Sequence, residues 1–160
     1  MRILVTLLIS SALCFLSCKQ TKIIEPKPTT VEVSTPSPFV TMKKTPCYGT
    51  CPSYELSILS DGTVNYNGKR FVDNIGIYTG KLTEQEVSSI QEKAKAINFF
   101  GLEDKYDSNA TDFPTCTINV IVEEQSKTII DRVGGPKELK ELEKLIQELV
   151  FNTALTKVDK

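Results

Sequence analysis

Two alternating runs joined by one tight reversal constrain this chain more than any other feature. Tyr54-Glu55-Leu56-Ser57-Ile58-Leu59 places an apolar residue at every second position, Ser60-Asp61-Gly62 turns the chain, and Thr63-Val64-Asn65-Tyr66 resumes the alternation. A period of two gives a strand one apolar and one polar face, and a helix cannot use that pattern. Asp-Gly supplies the positive φ of a two-residue hairpin turn, and Asn67-Gly68 predicts a second such turn. The expected result is an antiparallel meander. Its first strand spans residues 39–45, and its fourth runs from Lys69 to about Thr79 with a bend at Gly76.

The rest of the pattern adds helices. Thr83-Glu84-Gln85-Glu86 is a capping box, in which Thr83 accepts from a free backbone N–H and Glu86 reaches back. Val87, Ile90, Ala94 and Ile97 follow at helical spacing, and Gly101 is expected to end the segment. Residues 102–115 read as a polar loop, 117–122 as a β-branched central strand and 127–133 as its hairpin partner. Gly134-Gly135-Pro136 opens a last helix, with Pro136 at its first position and Leu139, Leu142, Leu145, Ile146, Leu149 and Val150 on one face. Residues 152–160 are expected to fray. The order β-β-β-β-α-β-β-α implies an α+β fold, an antiparallel sheet with two helices on one face.

The start of the chain carries an address. Met1-Arg2 is followed by the almost wholly apolar residues 3–16, too short a run to span a bilayer, which takes about 20 residues. Phe15-Leu16-Ser17-Cys18 resembles a lipobox, so residues 1–17 are expected to be a cleaved lipoprotein signal peptide and Cys18 a lipid-modified N-terminus. Residues 18–37, rich in Pro, Thr and Ser, read as a tether to a globular domain at 38–151, with a reach of roughly 60 Å if fully extended. Lys19 and Gln20 supply no acidic sorting tract. By resemblance to lipoprotein sorting signals, this points to an anchor in the outer membrane facing the periplasm.

Composition narrows the chemistry. The 19 Lys and Arg balance 20 Asp and Glu, which argues against a nucleic-acid partner. There is no histidine, so Ser-His and Cys-His catalysis are excluded, as is the commonest nitrogen ligand for zinc. No catalytic residue, metal site or cofactor is assigned, because no spacing places two carboxylates on one face with a nucleophile. The expected partners are the membrane, through the lipid anchor, and an envelope protein or cell-wall component.

After export, Cys47, Cys51 and Cys116 would remain as thiols. Cys47 and Cys51 can bridge if Gly49 turns the loop tightly, which makes them a disulfide candidate and a structural staple. The alternative is a thiol-redox or metal-binding pair, although the spacing is not Cys-x-x-Cys and a metal would need two further ligands. Cys116 opens an apolar strand and reads as a small buried hydrophobe. Asp104, Asp107, Asn109 and Asp112 lack the register of a calcium loop. Arg132, Gly134, Gly135 and Lys137 form a weak anion-site candidate where a strand end meets a helix N-terminus.

The block Pro46-Cys47-Tyr48-Gly49-Thr50-Cys51-Pro52-Ser53-Tyr54, followed by Ser60-Asp61-Gly62-Thr63-Val64 and Asn67-Gly68-Lys69, resembles an uncharacterised bacterial family, domain of unknown function 6438. Tyr78-Thr79-Gly80-Lys81-Leu82, Thr111-Asp112-Phe113-Pro114-Thr115 and Asp131-Arg132 are similar to its later blocks. The resemblance covers about residues 38–150. It implies a small envelope lipoprotein of the kind common in Bacteroidota, and it carries no known activity.

Overall fold

In the computed structural model, which describes residues 36–109 and 111–159, the alternating runs become strands of one eight-stranded sheet. The elements in chain order are β1 (Pro38–Lys44), β2 (Ser53–Leu59), β3 (Thr63–Arg70), β4 (Gly76–Lys81), α1 (Glu84–Ala96), β5 (Lys105–Tyr106), β6 (Cys116–Val122), β7 (Gln125–Asp131), α2 (Lys137–Asn152) and β8 (Thr156–Lys157). The strands lie in the order β5-β7-β6-β1-β2-β3-β4-β8, and β5 with β7 is the parallel pair. The chain is therefore α+β, with a mostly antiparallel open sheet and two helices. The expected signal peptide, Cys18 and nearly all of the tether lie outside the described residues.

Alternation decides which side is covered. Val40 and Met42 of β1 stand beside Ile58 and Leu56 of β2 on one edge, and beside Val120 and Ile118 of β6 on the other. All six are buried, and they share one apolar cluster with Val87, Ile90 and Ala94 of α1 and Leu139, Leu142 and Ile146 of α2. Each fully buried Ile or Leu contributes about 1.5–3 kcal/mol. The helices meet side by side, where Lys93 Nζ lies 2.7 Å from Glu141 Oε2. Small polar side chains form a continuous cross-strand row on the opposite face: Thr128, Asn119, Thr41, Ser57, Asn65, Thr79 and Thr156 are paired neighbour to neighbour. Such a row lets that face stay wet.

Several local expectations are corrected. Asn67-Gly68 is not a turn, because β3 continues to Arg70 and the reversal falls at residues 71–75, with Phe71 at φ 54° and Gly76 at φ 108°. Gly68 is needed for close approach, since a Cβ there would stand 1.9 Å from the Asn74 carbonyl oxygen. The capping box at Thr83 forms as expected, but α1 ends at Ala96, ahead of a short 3-10 turn, Phe99–Gly101. The polar loop contributes β5. The β6–β7 turn is two residues shorter than expected, Glu123-Glu124 with Glu123 at φ 57°, so β7 begins at Gln125 and ends at Asp131. Pro136 is the N-cap of α2, one position before the helix.

The expectation of a fraying tail is also corrected. After Thr153 the chain turns back, and β8 pairs Thr156 with Thr79 and Lys157 with Tyr78. Leu155 packs on the core above Gly80, where a Cβ would come within 2.8 Å of Leu155 Cδ2. A half-buried leucine and a glycine placed to receive it hold the tail down.

Candidate functional site

Strand parity and helix spacing carry two acids into the interior. On β7, Ile129 points in and Ile130 out, so Asp131 points in and is fully buried. On α2, Glu143 falls within the stripe made by Leu139, Leu142 and Ile146, and only 3% of it is exposed. The register then builds a row at one end of the sheet. Asp131 faces Cys116, Cys116 faces Lys44, and Lys44 faces Tyr54. Lys140, Glu143 and Gln147 of α2 join this row along a cleft of about 590 Å³, at whose mouth stand Phe113, Arg132 and Lys144.

The two halves of this row differ in how well their polar atoms are satisfied. Gln147 Oε1 accepts from Lys44 Nζ at 3.0 Å and from Tyr54 OH at 2.9 Å, so the Tyr54 end is closed. At the other end both oxygens of Asp131 and Oε1 of Glu143 are buried with no hydrogen-bond donor among the described residues. Lys140 Nζ stands 2.5 Å from Asp131 Oδ2 and 3.9 Å from Glu143 Oε2. The first is an ion pair that engages Asp131 Oδ2, which leaves Asp131 Oδ1 and Glu143 Oε1 with neither donor nor counter-ion.

The surroundings hold protons in place. Burial, with the Asp131 carboxylate adding to it, pushes Glu143 up to about 7, against the pull of Lys140, Lys44 and the Cys116 thiol. Burial and the Glu143 carboxylate push the Cys116 thiol far above its ordinary range. Cys116 is therefore a protonated neighbour of Glu143 and a poor nucleophile at neutral pH. Tyr54 is likewise raised by burial and stays a phenol.

The residues singled out in the sequence lie around this cleft or away from it. Cys47 and Cys51 form a disulfide with Cα atoms 5.6 Å apart, closing the connection between β1 and β2 at the sheet end that holds the row. The Gly49 N–H points to Cys47 Sγ at 3.2 Å, and Tyr48 between the cysteines is 95% exposed. Arg132 is held by Thr115 Oγ1 at 3.1 Å and by Asp107 at 3.5 Å, and with Gly134 it lines the cleft. Gly135 lies against Asp131, whose carboxylate would meet a Cβ there, so the anion nearest the α2 N-terminus is the chain's own. Lys137 points elsewhere, 3.6 Å from Glu141. Asp104 pairs with Lys127 and Asp107 with Lys105, as surface loop acids do. Among the described residues, no three or more acids or cysteines converge to hold a metal ion.

Asp131, Glu143, Lys44 and Lys140 were missed as site residues in the sequence. A signal for the first two was present: an acid at an inward position of an apolar strand, and an acid inside an apolar helical stripe. Lys44 and Lys140 have no comparable local signature.

The fold and cleft together define an open-sheet α+β domain with a charged recess under its second helix. The chain belongs to the family described as domain of unknown function (DUF6438), whose model matches residues 38–150. A comparison with curated proteins found no match. Among the described residues, no helix is long and apolar enough to cross a membrane.

Proposed function

We propose that this protein is a lipid-anchored envelope protein whose domain binds a protein or cell-wall partner through the cleft end of its sheet. The observation that carries the binding role is the pair of buried acids, of which Asp131 Oδ1 and Glu143 Oε1 have neither donor nor counter-ion, at the floor of a cleft. Burying a polar group without a partner costs about 1–3 kcal/mol. A fold that sustains this in one place keeps a ready site for donors from outside. Tyr48 on its stapled loop and the half-exposed Phe113 add aromatic contacts at the same end, the residue type enriched in binding surfaces. The anchor rests on Leu16-Ser17-Cys18 directly after an apolar run, and the export address supports an oxidising compartment for the disulfide.

A photo-cross-linking side chain at Lys144, on the cleft mouth, tests the binding role in intact cells, with one at Lys81, where β4 ends on the opposite side, as the control. One dominant product from Lys144 and none from Lys81 is expected. Equal, diffuse labelling from both would remove the reading. Intact mass of the membrane-extracted protein tests the anchor. It should show an acylated Cys18, and Cys18→Ala should release the chain from membranes.

A thiol-redox or metal-binding role for Cys47 and Cys51 is the rival. The bridge is the oxidised state such a redox pair would have, and it leaves no thiolate for a metal.

A further inference from the structure

Resting on the reading of the cleft as a binding site, we infer that its ligand is a zwitterion: a molecule carrying a primary ammonium and a carboxylate, as an amino acid or a short peptide with free ends does. The floor sets the first half of this requirement. Asp131 Oδ1 and Glu143 Oε1 are buried with neither a hydrogen-bond donor nor a counter-ion, and an ionised carboxylate can only accept. Lys140 is the cation in contact with them, and its single ammonium spans both acids unequally, at 2.5 Å and 3.9 Å. A second ammonium brings three further donors, more than enough for these two oxygens. A metal ion fits less well, because among the described residues no three acids or cysteines are grouped to hold one, and the neighbouring Cys116 is a protonated thiol.

The mouth sets the second half. Arg132 and Lys144 stand there, 3.5 Å from Asp107 and 3.6 Å from Glu148, with Lys44 further in on Gln147, and the Lys144 side chain is 72% exposed. A ligand with only a positive charge would pass these cations on its way in. A ligand with only a negative charge would satisfy the mouth and leave the floor bare. One molecule with both groups answers both, and the 590 Å³ recess has room for more than a single amino acid. Protonation gives an independent readout. Glu143 faces Lys140 on its own helix, Asp131 from β7, Lys44 from β1 and Cys116 from β6. Docking an ammonium beside it displaces its proton, so binding tightens as pH rises from 6 to about 7.5, above which the ligand's own amine begins to lose its charge.

The test is calorimetric titration of the purified full-length lipidated chain in detergent, with alanyl-alanine as the probe. Its N-acetyl and C-terminal amide forms each remove one charge. Each blocked form should bind about 10-fold or more weakly than the parent, and Asp131→Asn and Glu143→Gln should weaken the parent to a similar degree. Arg132→Gln lies on the mouth and keeps the floor intact. It should weaken alanyl-alanine and leave its amide unchanged, a pattern that misfolding would not produce. Free alanine binding as tightly as the dipeptide would make an amino acid the source, and weaker binding would make it a peptide end. Equal binding of all three dipeptide forms, or none of alanyl-alanine at millimolar concentration, overturns the zwitterion. If the Lys144 cross-link persists in that case, the binding reading survives and only the ligand class falls. Loss of the cross-link as well removes both.

Discussion

One helix roofs two very different neighbourhoods. Under its last turns, Tyr54, Tyr66 and Phe151 meet ring to ring, with centroids 5.2 to 5.9 Å apart, and Tyr78 adds an edge contact to Tyr66 at 6.4 Å. Under its first turns, Asp131, Glu143 and Lys140 share a recess with a protonated thiol. The aromatic end has the properties of a completed core, and the one phenol buried deepest there reaches Gln147. The acidic end has burial without satisfaction. The difference separates what the helix does for stability from what it holds open for a ligand, and each end should respond differently to substitution.

The largest effect belongs to the aromatic end. Tyr54→Ala empties a fully buried site and should lower stability by about 3–5 kcal/mol in a urea titration. A loss below 1 kcal/mol would mean that the rings are not the core of that half.

The acidic end should move the other way, and with pH. The folded protein holds a proton on Glu143 up to about 7, whereas the ordinary value is 4.5. The folded state thus binds more protons between those values, and stability falls as pH rises from about 4.5 through about 7. Above that window both states are ionised and the deficit is constant, on the order of 3 kcal/mol. Glu143→Gln should flatten this slope, so that it is more stable than the parent at pH 8 and nearly equal at pH 4. A variant that is less stable at pH 8 would show that the carboxylate is structural, erasing the contrast.

The disulfide loop stands outside both ends and sets a reference. Cys47→Ser with Cys51→Ser should cost about 2 kcal/mol in the chain-entropy description of so short a loop, without changing the pH slope. Loss of the Lys144 cross-link with stability unchanged would instead assign the loop to binding. Smallest is Thr83→Ala, which breaks the capping box of α1 and should lower the melting temperature by the equivalent of about 1 kcal/mol at any pH.

The sequence makes local features legible and hides the assembled ones. The alternation of 54–59 and 63–66, the Thr83 box and the apolar stripe of α2 each depend on neighbours a few residues away, and each became the expected element. Asn67-Gly68 misled because a glycine signals freedom or closeness without saying which. Here it was closeness, to the Asn74 carbonyl. β8 was invisible because its two residues gain their partners only from β4. The cleft was unreadable for the same reason on a larger scale: Gln147 meets Lys44 across 103 positions and Tyr54 across 93. Asp131 and Glu143 carried a local signal that went unused, each an acid where strand parity or the helical stripe called for an apolar residue. Cys116, expected as a plain hydrophobe, is buried as foreseen but shares its pocket with two carboxylates.

The placement of β1 has a mechanical side. The first strand of the domain is fourth in the sheet, clasped along its length by β2 and β6. Any tug transmitted through the segment before Pro38 therefore enters at the middle of the sheet. Pulled along its own axis, β1 must shear two ladders of hydrogen bonds at once before it can move, whereas an edge strand would shear only one. A domain leashed to a surface in this way meets traction at its strongest seam.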